Sequence, residues 1–215
     1  MRNLSKRYKN LIKQNKEKNI EVFEESLKKV KSNCTTKFDE SIDVSFKLNL
    51  KQKKEEFNLR TVVNLPNGNG KKVKVAVLCE DNKIDEAKTA GADLAGSETL
   101  ISDITNGKIN FNKLIATPTM MSKMGKLGKI LGPKGLMPNP KLGTVTSDIK
   151  KAVKSLKEGQ IEIKNDKDGN LAASIGKKSF VDKKIIENFN ALISTIKKEK
   201  PNNIKGDFIL SSYLT

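Results

Sequence analysis

LPNGNGKKVKVAVLC, residues 65–79, changes character half-way along. LPNGNG (65–70) is strong punctuation, because proline fixes the backbone and Asn-Gly pairs favour turns. VKVAVLC (73–79) is then a near-continuous apolar run, the pattern of a strand buried on both faces. Upstream the pattern differs. Ile42, Val44, Phe46, Leu48 and Leu50 alternate with mostly polar residues, which predicts a strand with one wet face. Residues 61–65 read as a second strand. Downstream of Cys79 the two-sided style continues. Residues 83–90 read as a helix ending at Gly91, and KLIAT (113–117) as another buried strand before Pro118. Residues 147–157 read as a helix capped by Asp148, striped by Ile149, Val153 and Leu156, and stopped by Gly159. Strands alternating with helices predict a small α/β unit with parallel pairing.

Beyond Gly159 the one-sided style returns. Ile161 and Ile163 alternate with polar residues, NDKDGN (165–170) signals a hairpin turn, and LAASIGK follows. Ile185, Phe189, Leu192 and Ile196 stripe a helix that stops before Pro201, and Phe208, Leu210 and Leu214 mark a last alternating strand. Near the other terminus, residues 1–18 read as a basic arm or short surface helix. Ile20, Phe23, Leu27 and Val30 then fall on one helical face, with acids early and lysines late to complement the dipole. The KQKKEEFN stretch reads as an exposed connection. The predicted fold is therefore mixed α+β and α/β, in two domains. A discontinuous α+β domain uses residues 1–65 and 159–215, and a Rossmann-like α/β domain, 66–158, is inserted into it. Two linkers near Pro66 and Glu158 would make a hinge.

Composition narrows the function. The chain has 215 residues, 42 Lys and Arg against 25 Asp and Glu, and a net charge of +17. Such an excess favours a polyanion, with solubility and a lysine-rich genome as the plainer explanation. Arginine occurs only at positions 2, 7 and 60. Lysine suits phosphates, whereas arginine is the usual reader of guanine edges, so a folded RNA recognised by shape and backbone is favoured. Two cysteines, Cys34 and Cys79, and no histidine exclude an ordinary single-chain zinc site and suggest a reducing compartment. No run approaches the ~18–20 apolar residues of a membrane span, and MRNLSKRYKN lacks an apolar signal core. The P-loop spacing is absent, and Val73 stands where a dinucleotide fingerprint begun at Gly68 and Gly70 would need its third glycine. No enzyme, cofactor, metal or small-molecule substrate is expected.

The most unusual segment is GKLGKILGPKGLMPNPKLGTVT, residues 125–146, with five glycines, three prolines, four lysines and no acid. Glycines let a backbone approach phosphate, although a rigid surface loop would have the same composition. This segment, with its GPKGLMPNPK core (132–141) and GTVT end (143–146), closely resembles the signature of the L-one ribosomal protein family, in its bacterial form. So do SKRYK (5–9), TKFDES (36–41), NLR (58–60), LPNGNGK (65–71), AGAD (90–93), NDKDGN (165–170) and IGKKSF (175–180). The resemblance implies a non-catalytic, two-domain constituent of the large ribosomal subunit, working as a monomer within the cytoplasmic ribosome of a bacterium or the ribosome of an organelle of bacterial descent. It implies that domain I holds a kinked stalk of large-subunit ribosomal RNA. Domain II would reach exit-site tRNA, and the protein would repress its own operon by binding its mRNA. The implied rRNA-binding residues are Lys37, Phe38, Ser41, Asp166, Lys167, Gly176, Lys177, Lys205, Gly206, Ser211 and Thr215. Phe38 could instead be core, and Asp166 a solvated turn charge. The tRNA-facing or signature-loop set is Lys123, Lys126, Lys129, Gly132, Lys134 and Lys141, which could alternatively brace domain II. In the family the last strand continues into a Thr-Met-Gly motif, whereas this sequence ends at Thr215. Thr61 stands where many relatives have glycine.

Overall fold

The computed structural model describes residues 5–14, 22–49, 59–201, 204 and 206–215. The chain order is α1 (Lys6–Gln14), α2 (Phe23–Asn33), β1 (Ser41–Leu48), β2 (Arg60–Asn64), β3 (Val75–Leu78), α3 (Ile84–Thr89), β4 (Leu94–Gly96), α4 (Glu98–Thr105), β5 (Lys113–Ala116), α5 (Met121–Met124), α6 (Gly128–Leu131), α7 (Ile149–Glu158), β6 (Gln160–Lys164), β7 (Asn170–Lys177), α8 (Asp182–Lys198) and β8 (Ile209–Leu214). Ile20, Leu50 and the 51–58 connection lie outside the described residues.

The two chain ends build one part. β1 is the centre of an antiparallel sheet ordered β7-β1-β8, and β2 pairs antiparallel with β6. Alternation along β1 sends Ile42, Val44, Phe46 and Leu48 into a core shared with Leu27, Ile175, Ile185, Leu192 and Ile196. Each such side chain contributes about 1.5–3 kcal/mol by leaving water. Phe23 of α2 stacks on Phe189 of α8 with ring centroids 3.8 Å apart.

The middle of the chain builds the other part, a parallel sheet ordered β4-β3-β5. Val145 adds a single parallel bridge beyond β5, at Ala116. Ala76 and Leu78 face one apolar cluster with α4 and the 120–131 segment, while Val75 and Val77 face another with α3 and α7. Both faces of β3 are covered, which is why its sequence does not alternate.

Four local expectations need correction. NDKDGN does reverse the chain, with the Asp166 amide donating to Asn170 O at 2.9 Å. It does not continue into a hairpin ladder: β6 pairs with β2 and β7 with β1, and beyond the turn the two share the isolated Asn165–Leu171 bridge. Buried Asn165 holds the parting, its Oδ1 accepting from the Leu59 amide at 2.6 Å. Asp148 precedes α7 but makes no side-chain cap; its carboxylate lies 3.5 Å from Lys151 instead. Leu210 is half exposed rather than core. A register shift pairs Lys47 with Ser211 and Leu48 with Ile209, so Leu210 is an extra bulge residue and Ile209 packs inward in its place. Residues 125–131 are helical turns rather than loop, with Leu127 and Leu131 buried.

The two connections between the parts cross closely. The Leu65 amide donates to Gly159 O at 3.3 Å. Gly159 has φ +110°, and a Cβ there would lie 2.4 Å from Gly68 Cα, so only glycine fits the crossing. Fully buried Asn188 of α8 fastens the first connection. Its Nδ2 donates to Gly68 O (2.8 Å) and Ile175 O (2.7 Å), and its Oδ1 accepts from the Asn67 amide at 3.1 Å.

Candidate nucleic-acid interface

The core-facing residues of β1 leave Ser41, Asp43, Ser45 and Lys47 on the outer face of its sheet. Across the ladder, Ser41 opposes Lys177, Asp43 opposes Ser174, and Ser45 lies between Ala172 and Tyr213. Thr215 continues the β8 side by exchanging both backbone hydrogen bonds with Asp43, at 2.8 and 2.9 Å. A register shift between Ile42 and Asp43 leaves Ile175 unpaired in the ladder and turns both Ile175 and Gly176 inward. Simple alternation would have buried Lys177; the bulge re-aims it outward. Gly176 suits this position because a Cβ there would press on the Phe180 ring at 3.2 Å. The result is an open sheet face in which small hydroxyl and methyl side chains stand among Asp43, Lys47 and Tyr213.

One end of this face carries the loop between α2 and β1. Lys37 is exposed there, and Phe38 is 70% exposed, so Phe38 is not a core residue. Its ring is displayed by a loop that is held firmly. Asp39 accepts from the Ser179 amide (3.0 Å) and hydroxyl (2.8 Å). Lys178 Nζ donates to Cys34 O at 2.5 Å, and its amide to Glu40 O at 2.9 Å. Lys177 Nζ reaches Ser41 Oγ at 2.8 Å and Asp39 O at 3.3 Å. An ammonium has three donors, so one remains for a phosphate.

The opposite end carries the 166–169 turn. Lys167 is exposed at its tip. Asp166 is committed to its own turn: its carboxylate accepts from the Asn170 side chain (2.8 Å), the Asn170 amide (2.6 Å) and the Asp168 amide (3.0 Å). These bonds, that of the Asn170 side chain foremost, hold its pKa below the usual carboxylate range. A shallow recess of about 490 Å³ opens beside this turn where β6 and β7 part, lined by Ser45, Lys164, Asn165, Asp166, Asn170, Leu171 and Ala172. Gly206, at φ +83°, leads into β8, and its carbonyl accepts from Lys200 Nζ at 2.6 Å. Lys205 lies outside the described residues.

The glycine-rich segment forms a separate surface on the inserted part. Met124, Leu127 and Leu131 are its buried anchors, and Lys126, Lys129, Lys134 and Lys141 are exposed. Lys123 is paired with Glu98 Oε1 at 2.9 Å, which raises its pKa and offsets its charge toward a polyanion. Gly132 accommodates a tight turn after α6, since a Cβ there would come 2.6 Å from Gly128 O. Asn139 and Thr144 staple the following loop, with the Asn139 amide donating to Thr144 Oγ1 at 2.8 Å.

Residues 27–215 match the model of the Ribosomal protein L1p/L10e family. The chain belongs to this family. It is thus a ribosomal protein, a structural component and not an enzyme. Relatives agree over nearly its whole length. Large ribosomal subunit protein uL1 of Pelagibacter ubique is 60% identical over 212 residues, covering 98% of this chain and 93% of the relative. The protein of that name from Prochlorococcus marinus is 45% identical over 215 residues, covering 100% and 91%. That from Rickettsia akari is 47% identical over 190 residues, covering 88% and 80%.

Among the residues that the family resemblance named, the sheet gathers Ser41, Lys177, Ser211 and Thr215 on one face. Lys37 and Phe38 stand at one end, and Asp166 and Lys167 at the other. The signature lysines belong to the other part of this family member. Sequence reasoning missed Tyr213, which is 63% exposed on the same face beside Ser45. Ser174, opposite Asp43, has a buried hydroxyl that lacks a hydrogen-bond partner among the described residues. Alternation could have found Tyr213, which falls midway between Ser211 and Thr215.

Proposed function

We propose that this protein is a constituent of the large ribosomal subunit in the bacterial-type cytoplasmic ribosome. Its outer β7-β1-β8 face would bind the kinked stalk of large-subunit rRNA. Domain I then comprises residues 1–65 and 159–215 and anchors the protein, while domain II, residues 66–158, carries the lysine-rich signature surface toward tRNA leaving the exit site. An mRNA of its own operon that mimics the stalk would use the same face, so stalk RNA and mRNA would compete.

The observation that carries the reading is Phe38. A largely exposed phenylalanine on a loop pinned by at least four long-range hydrogen bonds is a rigid aromatic offered to a partner. A kinked RNA with unstacked bases fits such a ring, and the surrounding lysines fit its phosphates. The test is affinity for isolated stalk RNA against a scrambled RNA of equal length at physiological salt. The expected preference is about a hundredfold, or roughly 3 kcal/mol. Phe38→Ala should erode that preference while sparing generic binding. Equal losses on both RNAs would refute the role of the ring.

A further inference from the structure

The first connection passes directly over the stem of an RNA-face lysine. Gly70 has φ +74°, and a Cβ built on it would lie 2.7 Å from Lys177 Cγ and 3.3 Å from two carbons of the Phe180 ring. The obstruction falls near the root of the lysine, not at its flexible end. Phe180 packs partly buried against the core, and a Cβ added at Gly176 would already meet its ring at 3.2 Å. The chain beneath Gly70 is fastened by Asn188 through Gly68 O and the Asn67 amide. Lys177 is also fixed at its tip, between Ser41 Oγ and Asp39 O.

We propose that Gly70 is a positioning residue for Lys177, so that the connection leading into β3 and the RNA-contacting face share one side chain. The inference rests on Lys177 being an RNA contact, as proposed above. Any side chain at position 70 pushes the lysine stem aside and draws its ammonium away from Ser41. Conversely, RNA that holds the ammonium in place orders the segment lying on its stem. The movable half is thereby tied to the anchored half through contact with RNA.

The test is a double-mutant cycle on the full chain with isolated stalk RNA as probe. Gly107→Ala is the control for backbone strain, because Gly107 has φ +81° and nothing within 4 Å of its Cβ position. G70A should weaken binding about tenfold, as expected for one charge-assisted hydrogen bond. It should also lower the log–log salt slope by about one. G107A should do neither. In a Lys177→Ala background, G70A should change affinity less than about twofold, since coupled pairs are non-additive. A K177A loss to which G70A simply adds, or which G70A does not reproduce, overturns the inference alone. An unchanged K177A overturns the RNA role of Lys177 and the inference with it. Amide exchange in the unmutated chain is a second test, independent of how G70A folds. Stalk RNA should slow exchange at Gly70 and Lys71, and should not do so in K177A. No slowing in the unmutated chain overturns the inference.

Discussion

Tyr213 and Asp166 occupy the same sheet region and do opposite things there. Tyr213 is 63% exposed opposite Ser45 on the outer face, where its ring is accessible to a base. Tyr213→Ala should leave thermal stability nearly unchanged and weaken stalk RNA binding, by about 1–3 kcal/mol if a base stacks on the ring. Undiminished affinity in a filter-binding assay would remove it from the interface. Asp166 repels phosphate by its charge, yet it shapes the turn that presents Lys167. Its folded pKa is lowered, so the turn bonds are fully present above the ordinary carboxylate value of about 4. They are lost as pH falls through the lowered folded value. The Asn170 amide shift, followed by NMR from pH 7 downward, should titrate with a midpoint below the ordinary aspartate value. A midpoint at or above it would contradict the turn geometry.

At the scale of elements, α8 does more than cover the sheet. Asn188 interrupts its apolar stripe between Ile185 and Leu192, where a leucine would ordinarily stand. Its amide instead satisfies the Asn67 N–H and the Gly68 and Ile175 carbonyls in a buried place. Asn188→Leu would keep the apolar stripe but strand those groups. The expected destabilisation is on the order of 3 kcal/mol in urea unfolding. A neutral substitution would show that water replaces the amide and that the fastening is weak. The bulges work at the same scale. One turns Lys177 outward, and the other expels Leu210 so that Ile209 can fill the core.

For the whole molecule, the apolar cores lie within the two parts, and what joins the parts includes the Asn188 fastening, the close glycine crossing and a surface ion pair. Lys113 of β5 meets Glu162 of β6 at 3.6 Å, and Glu162 also binds Arg60 at 2.7 Å. Partly exposed surface pairs of this kind contribute about 0–1 kcal/mol. The close crossing at Gly68 and Gly159 brings the ends of the inserted segment together. Excising residues 69–158 and joining Gly68 to Gly159 through two glycines should therefore leave a folded protein that retains stalk RNA affinity. Circular dichroism and a cooperative melt would check folding. A molten or insoluble product would mean that the anchor depends on the inserted part.

The sequence alone determined the architecture. Burial on one face or both is written directly into residue periodicity, so β1 and β3 were legible as different kinds of strand. The break between them at LPNGNG was equally plain, because turn chemistry is local. The family, too, was legible, in the 125–146 signature. What lay beyond the sequence depended on partners far away in the chain. The Phe38 ring could have been core or surface, and it is Lys177, Lys178 and Ser179, some 140 positions on, that hold its loop. NDKDGN could not reveal that its strands part, because Asn165 binds Leu59 across an interval of 106 residues. The crossing of Gly70 over Lys177 is of the same kind. A glycine's reason for being there is the space it leaves, and only the folded chain shows what fills that space.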